Sequence, residues 1–325
     1  MPGLKIEWSK QPRLNQYCIG LPVITGINRQ RIIEAGRKAE SIIILLSGIL
    51  EVRRSLGTSE EDVAILEPLE IAGEMTFLEG KPAVVNVDVQ SEKAAWIELP
   101  SNKLRADLEK DAKLAKEFYY FLTKKLRSQL LDQNSFVHRW NEQQESPDPL
   151  KKVLIIFGYL ETIDLDYLAS NANQITTKDN QLLIEEGKPL NHLYIILNGK
   201  FSIWKKDKDN RVKLGTSVQG EIIGELSMLD EEGRSSAEVR AENTATTAQI
   251  GIDNINQWLK TIPQAEGRWW RALAVLGSHR CREQLEGAGK LAPTTESEQF
   301  SLKELERIER AGQRFRWFCE LMEAG

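Results

Sequence analysis

Residues 220–229 read Gly220-Glu-Ile-Ile-Gly-Glu-Leu-Ser-Met-Leu229. A closely similar stretch, Leu69-Glu-Ile-Ala-Gly-Glu-Met-Thr-Phe-Leu78, lies 151 positions earlier. Both contain a Gly-Glu pair followed by an apolar segment. Internal similarity at a fixed offset is the signature of a repeated structural module, so the chain is expected to contain two copies of one domain.

The same offset relates a framework of glycines on either side of this stretch. Gly36 and Gly48 of the first copy recur as Gly187 and Gly199 of the second. The apolar run at 193–197 precedes an Asn-Gly pair, which favours a two-residue hairpin turn. Short strands punctuated by glycine turns predict a jelly roll or small barrel in each copy.

Helical patterns bracket these barrels, at 164–172 before the second copy and at 112–131 and 264–285 after the two copies. We therefore predict a mainly β fold with flanking helices, comprising two tandem jelly-roll β-barrels and a C-terminal amphipathic helix. The expected order is an N-terminal segment at 1–23, a barrel at 24–132, a linker at 133–150, a second barrel at 151–287, a linker at 288–300 and the tail helix at 301–325.

The composition is that of a globular protein with no strong affinity for polyanions. Of the 325 residues, 41% are hydrophobic and 28% charged, and the net charge is −5. An acidic balance argues against a nucleic-acid partner, and the longest apolar runs are too short for membrane insertion. Three cysteines without a close pairing motif suggest free thiols, and the expected location is cytoplasmic.

The second copy resembles the cyclic-nucleotide-binding domain of bacterial catabolite-activator proteins and protein-kinase regulatory subunits. The resemblance rests on residues 182–187, 193–199, 220–229 and 234–237. It covers most of 151–287 and, more weakly, 24–132. In that family a glutamate accepts a hydrogen bond from the ribose 2′-hydroxyl, and an arginine nine residues later holds the cyclic phosphate.

Carried over to this sequence, the resemblance implies that Glu225 binds the ribose and Arg234 the phosphate, with cAMP or cGMP as the ligand. Helix N-termini and arginine side chains are suited to anions on physical grounds as well. The implied site in the second copy comprises Gly224, Glu225, Leu226, Arg234 and Ser235.

Two features of the second copy depart from the family pattern. The family arginine is followed by two small residues, one further residue and then a valine, whereas Val239 comes one residue late after Arg234. In the family, the short helix and loop that follow the Gly-Glu pair form the phosphate-binding cassette. Residues 230–232 add three carboxylates to this cassette, and like charge opposes a phosphate. These departures favour a site that has lost its ligand, whereas the nine-residue spacing favours one that keeps it.

The first copy retains Gly73 and Glu74, but position 83, nine residues after the glutamate, is alanine. Lys81 is a nearby cation, although it lacks the forked geometry of arginine. We expect no cyclic-nucleotide binding in this degenerate site and a structural role for Glu74.

The tail helix carries an apolar stripe that includes Leu305, Ile308, Phe315 and Met322. Such a helix can cover the protein's own core, pair with a second subunit or dock on a partner, and the sequence leaves these alternatives open. No DNA-reading motif precedes it.

No catalytic motif is apparent, and three scattered histidines do not predict a metal site or a cofactor. We expect a non-catalytic regulatory protein whose second barrel binds cAMP or cGMP and relays binding through helices to a protein partner. The alternative is a ligand-free scaffold or assembly component that uses degenerate barrels as interaction surfaces. Both interpretations involve a protein partner or self-association.

Overall fold

A computed structural model describes residues 5–55, 60–134, 154–207, 210–287 and 302–324. The chain divides into two compact units. Unit 1 comprises residues 1–133 and 277–299, and unit 2 comprises residues 134–276 and 300–325. The two predicted linkers, at 133–150 and 288–300, lie almost entirely outside the described residues.

Unit 1 is a β-barrel with helices before and after it. Its helices are α1 Pro12–Cys18, α2 Glu74–Glu79, α3 Ser101–Lys110 and α4 Ala112–Asn134. Its strands are β1 Val23–Ile27, β2 Arg31–Ile33, β3 Ser41–Ser47, β4 Leu50–Ser55, β5 Glu60–Leu66, β6 Ile71–Ala72, β7 Asn86–Val89 and β8 Lys93–Pro100.

The strands of unit 1 form two four-stranded antiparallel sheets, in the orders β1-β8-β3-β6 and β2-β7-β4-β5. The central residues of strand β3, Ile42 to Leu45, are apolar and are therefore buried in the core. Alternating side chains from both sheets build one core, to which Leu45, Leu50, Val87 and Trp96 contribute.

Unit 2 repeats this arrangement. Its helices are α5 Ile155–Tyr159, α6 Thr162–Ser170, a 3₁₀ helix Glu225–Leu229, α7 Ile252–Thr261, α8 Ala265–Gly287, whose residues from 277 belong to unit 1, and α9 Leu302–Ala324. Its strands are β9 Ala172–Thr177, β10 Leu182–Ile184, β11 His192–Asn198, β12 Lys200–Asp207, β13 Asn210–Val218, β14 Ile222–Ile223, β15 Glu238–Ala241 and β16 Ala245–Gly251.

The sheets of unit 2 have the orders β14-β11-β16-β9 and β10-β15-β12-β13, which match unit 1 strand for strand. The core again lies between the two sheets and includes Tyr194, Ile196, Phe201 and Val239. The prediction of two tandem jelly-roll barrels with flanking helices and a C-terminal helix is confirmed.

One assignment differs from the predicted boundaries, which placed 277–287 with the second barrel. These residues cluster with unit 1. Among their contacts with unit 1, Arg282 and Ser278 both donate to the carboxylate of Glu79 in helix α2. Sequence periodicity detects a helix but does not reveal which barrel its end contacts.

The tail helix α9 packs within unit 2. Phe315 and Met322 are each 8% exposed, and the Phe315 ring lies edge-on to Phe157 of α5 at 5.1 Å. Ile308 is half-buried, whereas Leu305 is 48% exposed. Of the three alternatives for this stripe, covering the protein's own core accounts for Phe315 and Met322.

Candidate functional site

The cassette of unit 2 begins at Gly224, whose φ of 93° lies in the left-handed region. This left-handed conformation favours glycine, and a Cβ atom there would also displace the Leu190 side chain, whose Cδ2 would lie at 2.6 Å. The turn buries Glu225, which is 3% exposed, at the start of the 3₁₀ helix. Leu226 is half-buried, and the Ser227 hydroxyl donates to the Gly224 carbonyl at 2.7 Å.

Arg234 follows the 3₁₀ helix and is engaged by the cassette's own acidic residues. Its guanidinium forms an ion pair with Glu232, and its backbone N–H donates to Asp230 Oδ1 at 3.1 Å. A longer hydrogen bond, of 3.5 Å, runs from Arg234 Nη1 to the Gly187 carbonyl. The Arg234 side chain is 54% exposed, so the cation predicted to hold a phosphate lies at the surface against a carboxylate.

The backbone pairing explains this placement. The N–H of residue 187 donates to the Ser235 carbonyl at 2.8 Å, and the Ser235 N–H donates to the carbonyl of residue 188 at 3.0 Å. In unit 1, Ala83 exchanges the same two bonds with residues 36 and 37, at 2.8 and 2.9 Å. Ser235 therefore occupies the position of Ala83, and unit 2 has one extra residue within its cassette.

This extra residue moves the arginine out of the position that is equivalent to Ala83. In unit 1 the side chains at 83 and 85 pack against the core that contains Val87. The equivalent positions in unit 2 are 235, 237 and 239, and Val239 is 3% exposed. Arg234 lies one residue before Ser235, the position equivalent to Ala83, and is therefore out of step with these positions. The Ser235 hydroxyl donates to the Ala237 carbonyl at 2.7 Å.

The cassette of unit 1 is closed by an internal cation. Gly73 has φ 87° and precedes Glu74, which is 4% exposed. The Glu74 carboxylate forms an ion pair with the ammonium group of Lys125 on helix α4, which is also 4% exposed. Lys81, the cation singled out from the sequence, is half-buried. Lys125 is not identifiable from the sequence, because 51 positions separate it from Glu74.

The other end of helix α2 is held in the same manner. Arg282 Nε donates to Glu79 Oε2 at 2.6 Å, and Arg282 Nη1 donates to the Pro82 carbonyl at 3.0 Å. The Ser278 hydroxyl donates to the second oxygen of Glu79. These contacts span about two hundred positions, so no local pattern could have predicted them. Both buried carboxylates of α2 are thus neutralised by cations of the same unit.

A surface cavity of about 360 Å³ lies beside the unit 2 cassette. Its lining combines apolar side chains, such as Met228, with the carboxylates of Asp230, Glu232 and Asp253. Neither Glu225 nor Arg234 lines it. The acidic lining is unfavourable for a phosphate group.

Among the described residues, no group of histidine, cysteine or acidic side chains is arranged to hold a metal ion. Within the same part of the chain, no helix has the length and apolar character needed to cross a bilayer.

Curated relatives share parts of this sequence. The "cAMP-activated global transcriptional regulator CRP" of Escherichia coli is 26% identical over 129 residues, which are 39% of this chain and 60% of the relative. The cAMP-dependent protein kinase regulatory subunit of Aspergillus fumigatus is 34% identical over 77 residues, which are 24% of this chain and 18% of the relative. This chain therefore spans less than two thirds of the length of either protein.

Two solved structures are also similar to parts of this chain. A cyclic nucleotide-binding domain from Methylobacillus flagellatus is 24% identical, with a TM-score of 0.38, and the match covers 46% of this chain and 86% of that one. The regulatory domain of Toxoplasma gondii PKA with cAMP is 18% identical, with a TM-score of 0.31, over 78% of this chain and 85% of that one.

The family model of the cyclic nucleotide-binding domain matches residues 28–111 and 174–261, together more than half of the chain. Each match falls on one of the two barrels. The protein belongs to the cyclic nucleotide-binding domain family and carries two copies of that domain in tandem.

Proposed function

We propose that this protein is a non-catalytic regulatory component whose two barrels work through protein contacts without binding cAMP or cGMP. The observation that carries the proposal is the position of Arg234. Its guanidinium pairs with Glu232 and is out of step with the inward-facing residues. A phosphate in the barrel would lack the charge-assisted hydrogen bonds that usually secure it.

The first barrel supports the same proposal. A ribose hydroxyl would have to compete with the ammonium group of Lys125 for the carboxylate of Glu74. Breaking a buried ion pair leaves an uncompensated charge and typically costs about 3–5 kcal/mol. A hydrogen bond from a neutral hydroxyl to a charged group contributes only about 1.5–3 kcal/mol, so the internal pair is the more stable arrangement.

A second candidate is a cyclic-nucleotide sensor in unit 2, with Glu225 on the ribose. The observation that favours it is the burial of the Glu225 carboxylate directly after a left-handed glycine, as in unit 1. In this case Arg234 leaves Glu232 when the phosphate enters, and helix α8 carries the change to a protein partner.

Correcting the register tests the proposal. The double substitution Arg234→Ser/Ser235→Arg places an arginine four residues before Val239, as the family pattern requires, and preserves the composition. We expect calorimetric titration with cAMP and cGMP to give no heat of binding for the natural sequence and measurable binding for the double variant. The single substitution Arg234→Ser is the matched control and should not bind.

The sensor candidate makes the opposite prediction. The natural sequence would bind at micromolar ligand, and Arg234→Ser would abolish that binding. This result would refute the proposal that the barrels work without nucleotide.

We infer a cytoplasmic location for the protein. Cys18, Cys281 and Cys319 are all free thiols. Free cysteines are typical of reducing compartments.

A further inference from the structure

Strand β1 of unit 1 presents apolar side chains to solvent at the end of a sheet. It is a terminal strand in the order β1-β8-β3-β6. Val23 is 58% exposed and Ile27 is 65% exposed, and Ile19, just before the strand, is 73% exposed. Edge strands with apolar surfaces are templates for pairing with another chain.

The repeat provides an internal comparison for this strand. Gln174 and Lys178 of unit 2 occupy the positions of Val23 and Ile27. The equivalence is supported by a shared hydrogen bond, because the Ile27 N–H donates to the Gln30 side chain at 3.3 Å and the Lys178 N–H donates to that of Gln181 at 2.8 Å. The same barrel position accepts polar residues in unit 2, so the fold does not require apolar ones in unit 1.

The charge pattern shows the same contrast. The fifteen residues at 14–28 contain no charged side chain, although 28% of the whole chain is charged. The equivalent residues, 165–179, contain Asp166, Lys178 and Asp179. Two other terminal strands of unit 1 carry charged residues, since β5 begins Glu60-Glu-Asp62 and β2 begins with the exposed Arg31. Charged residues are the usual protection of sheet edges against pairing, and the exposed strand β1 contains none of them.

We propose that β1 pairs with the β1 strand of a second copy of this protein, as an antiparallel two-fold pair centred on Thr25. In this arrangement Val23 of each copy lies opposite Ile27 of the other, so apolar side chains meet and no like charges oppose one another. Self-pairing would provide hydrogen-bond partners for the outward backbone groups of β1 and would not require a different protein with a complementary apolar strand. The proposal is independent of whether either barrel binds a nucleotide.

The backbone of β1 is oriented for this pairing. The Asn28 N–H donates to the Glu92 carbonyl of the neighbouring turn at 3.2 Å. Because inward and outward backbone groups alternate along an antiparallel strand, the N–H and C=O of Thr25 lie on the outer edge. The long hydrogen bond from Ile27 to Gln30 is replaced by one to the second copy.

The interface is small. One strand pair and a few apolar side chains fall short of the roughly 800 Å² per partner of a standard interface. We therefore expect a reversible dimer whose population increases with concentration through the micromolar range.

Sedimentation velocity of the full chain from low micromolar to several hundred micromolar tests the proposal. We expect the natural sequence to shift from monomer to dimer mass. The graft Val23→Gln/Ile27→Lys, which copies unit 2, should stay monomeric with an unchanged far-UV circular dichroism spectrum. Ile163→Lys is the matched control, since Ile163 is 51% exposed on α6, and should dimerise like the natural sequence.

Two results would overturn this proposal: a natural chain that is monomeric at every concentration, or a folded graft that dimerises as strongly as the natural chain. If the graft does not fold, Thr25→Pro takes its place. It removes the outward N–H at an edge position, where proline is tolerated. Undiminished dimerisation of folded Thr25→Pro would equally contradict pairing through β1.

Discussion

Replacing Lys125 with methionine removes the cation from the carboxylate of Glu74 while leaving the volume of the side chain similar. Both residues are 4% exposed, so solvent cannot compensate for the lost charge. Removing one partner of a buried ion pair typically destabilises a protein by about 3–5 kcal/mol. The equilibrium constant for opening of unit 1 should therefore increase by a factor of roughly 100 to 4,000, at about 1.4 kcal/mol per tenfold change.

The double variant Glu74→Gln/Lys125→Met removes both charges. Replacing a buried pair with neutral groups of similar size is often neutral or stabilising, so most of the lost stability should return. The interaction free energy of the double-mutant cycle then equals several kcal/mol, well above the roughly 0.3–0.5 kcal/mol by which independent sites deviate from additivity.

Native-state hydrogen exchange of amides in strand β3 is a suitable assay, because these core amides report the opening of unit 1 specifically. Lys113→Met is the matched control, since Lys113 is exposed on the same helix. The reasoning is refuted if Lys125→Met accelerates exchange no more than Lys113→Met, or if the double variant exchanges as fast as Lys125→Met.

Three other predictions follow from the structure. Burial alone raises the pKa of Asp88, but hydrogen bonds from two arginines lower its pKa below the ordinary value overall. This stabilisation is present above the unfolded pKa of about 3.9 and is lost as pH falls through the lower folded pKa. Asp88→Asn should therefore flatten the acid limb of denaturation curves below about pH 4. Burial raises the pKa of Cys319 to about 11 and raises the pKa of the fully buried Cys281 as well, so iodoacetamide at mildly alkaline pH should label Cys319 slowly and Cys281 only after unfolding. Mass spectrometry of digests measures both; equal labelling would contradict the burial. Gly199→Ala should destabilise unit 2 more than Gly187→Ala, because both glycines have positive φ but only at Gly199 would a Cβ lie 2.7 Å from a backbone atom, the Ala245 Cα. Urea unfolding compares the two variants, and equal losses would contradict the steric argument.

The fold was predictable because its determinants are local and repeated. Glycines with positive φ, such as Gly48 and Gly199, punctuate both barrels at the same offset. The apolar runs between them are the buried strands β3 and β11. Glycines that recur at equivalent turn positions of both copies indicate that the two copies share the same backbone geometry, and therefore the same fold.

The candidate site was predictable only in part. The Gly-Glu pairs predicted the positions of both cassettes. Val239 follows Arg234 by one residue more than in the family pattern, and this spacing indicated a displaced arginine. The consequence of that displacement depends on backbone pairing with residues 187 and 188, which only the structure displays. The sequence also did not predict a cation beside Glu74. Lys125 is distant from Glu74 in sequence, and helix α4 brings the two side chains together.

The tail helix illustrates a different limit. Its apolar stripe was recognised from spacing, but periodicity does not identify the surface that the stripe covers. Contacts with α5, such as the edge-on ring pair of Phe157 and Phe315, provide that information. Leu305 remains exposed in the same stripe.

Calorimetric titration of the natural sequence with cAMP and cGMP tests the central claim most directly, with Arg234→Ala measured alongside. The displaced arginine of unit 2 and the lysine-closed carboxylate of unit 1 predict no heat of binding for either ligand up to millimolar concentration. Micromolar binding that Arg234→Ala abolishes would contradict this account and identify unit 2 as a functioning cyclic-nucleotide sensor.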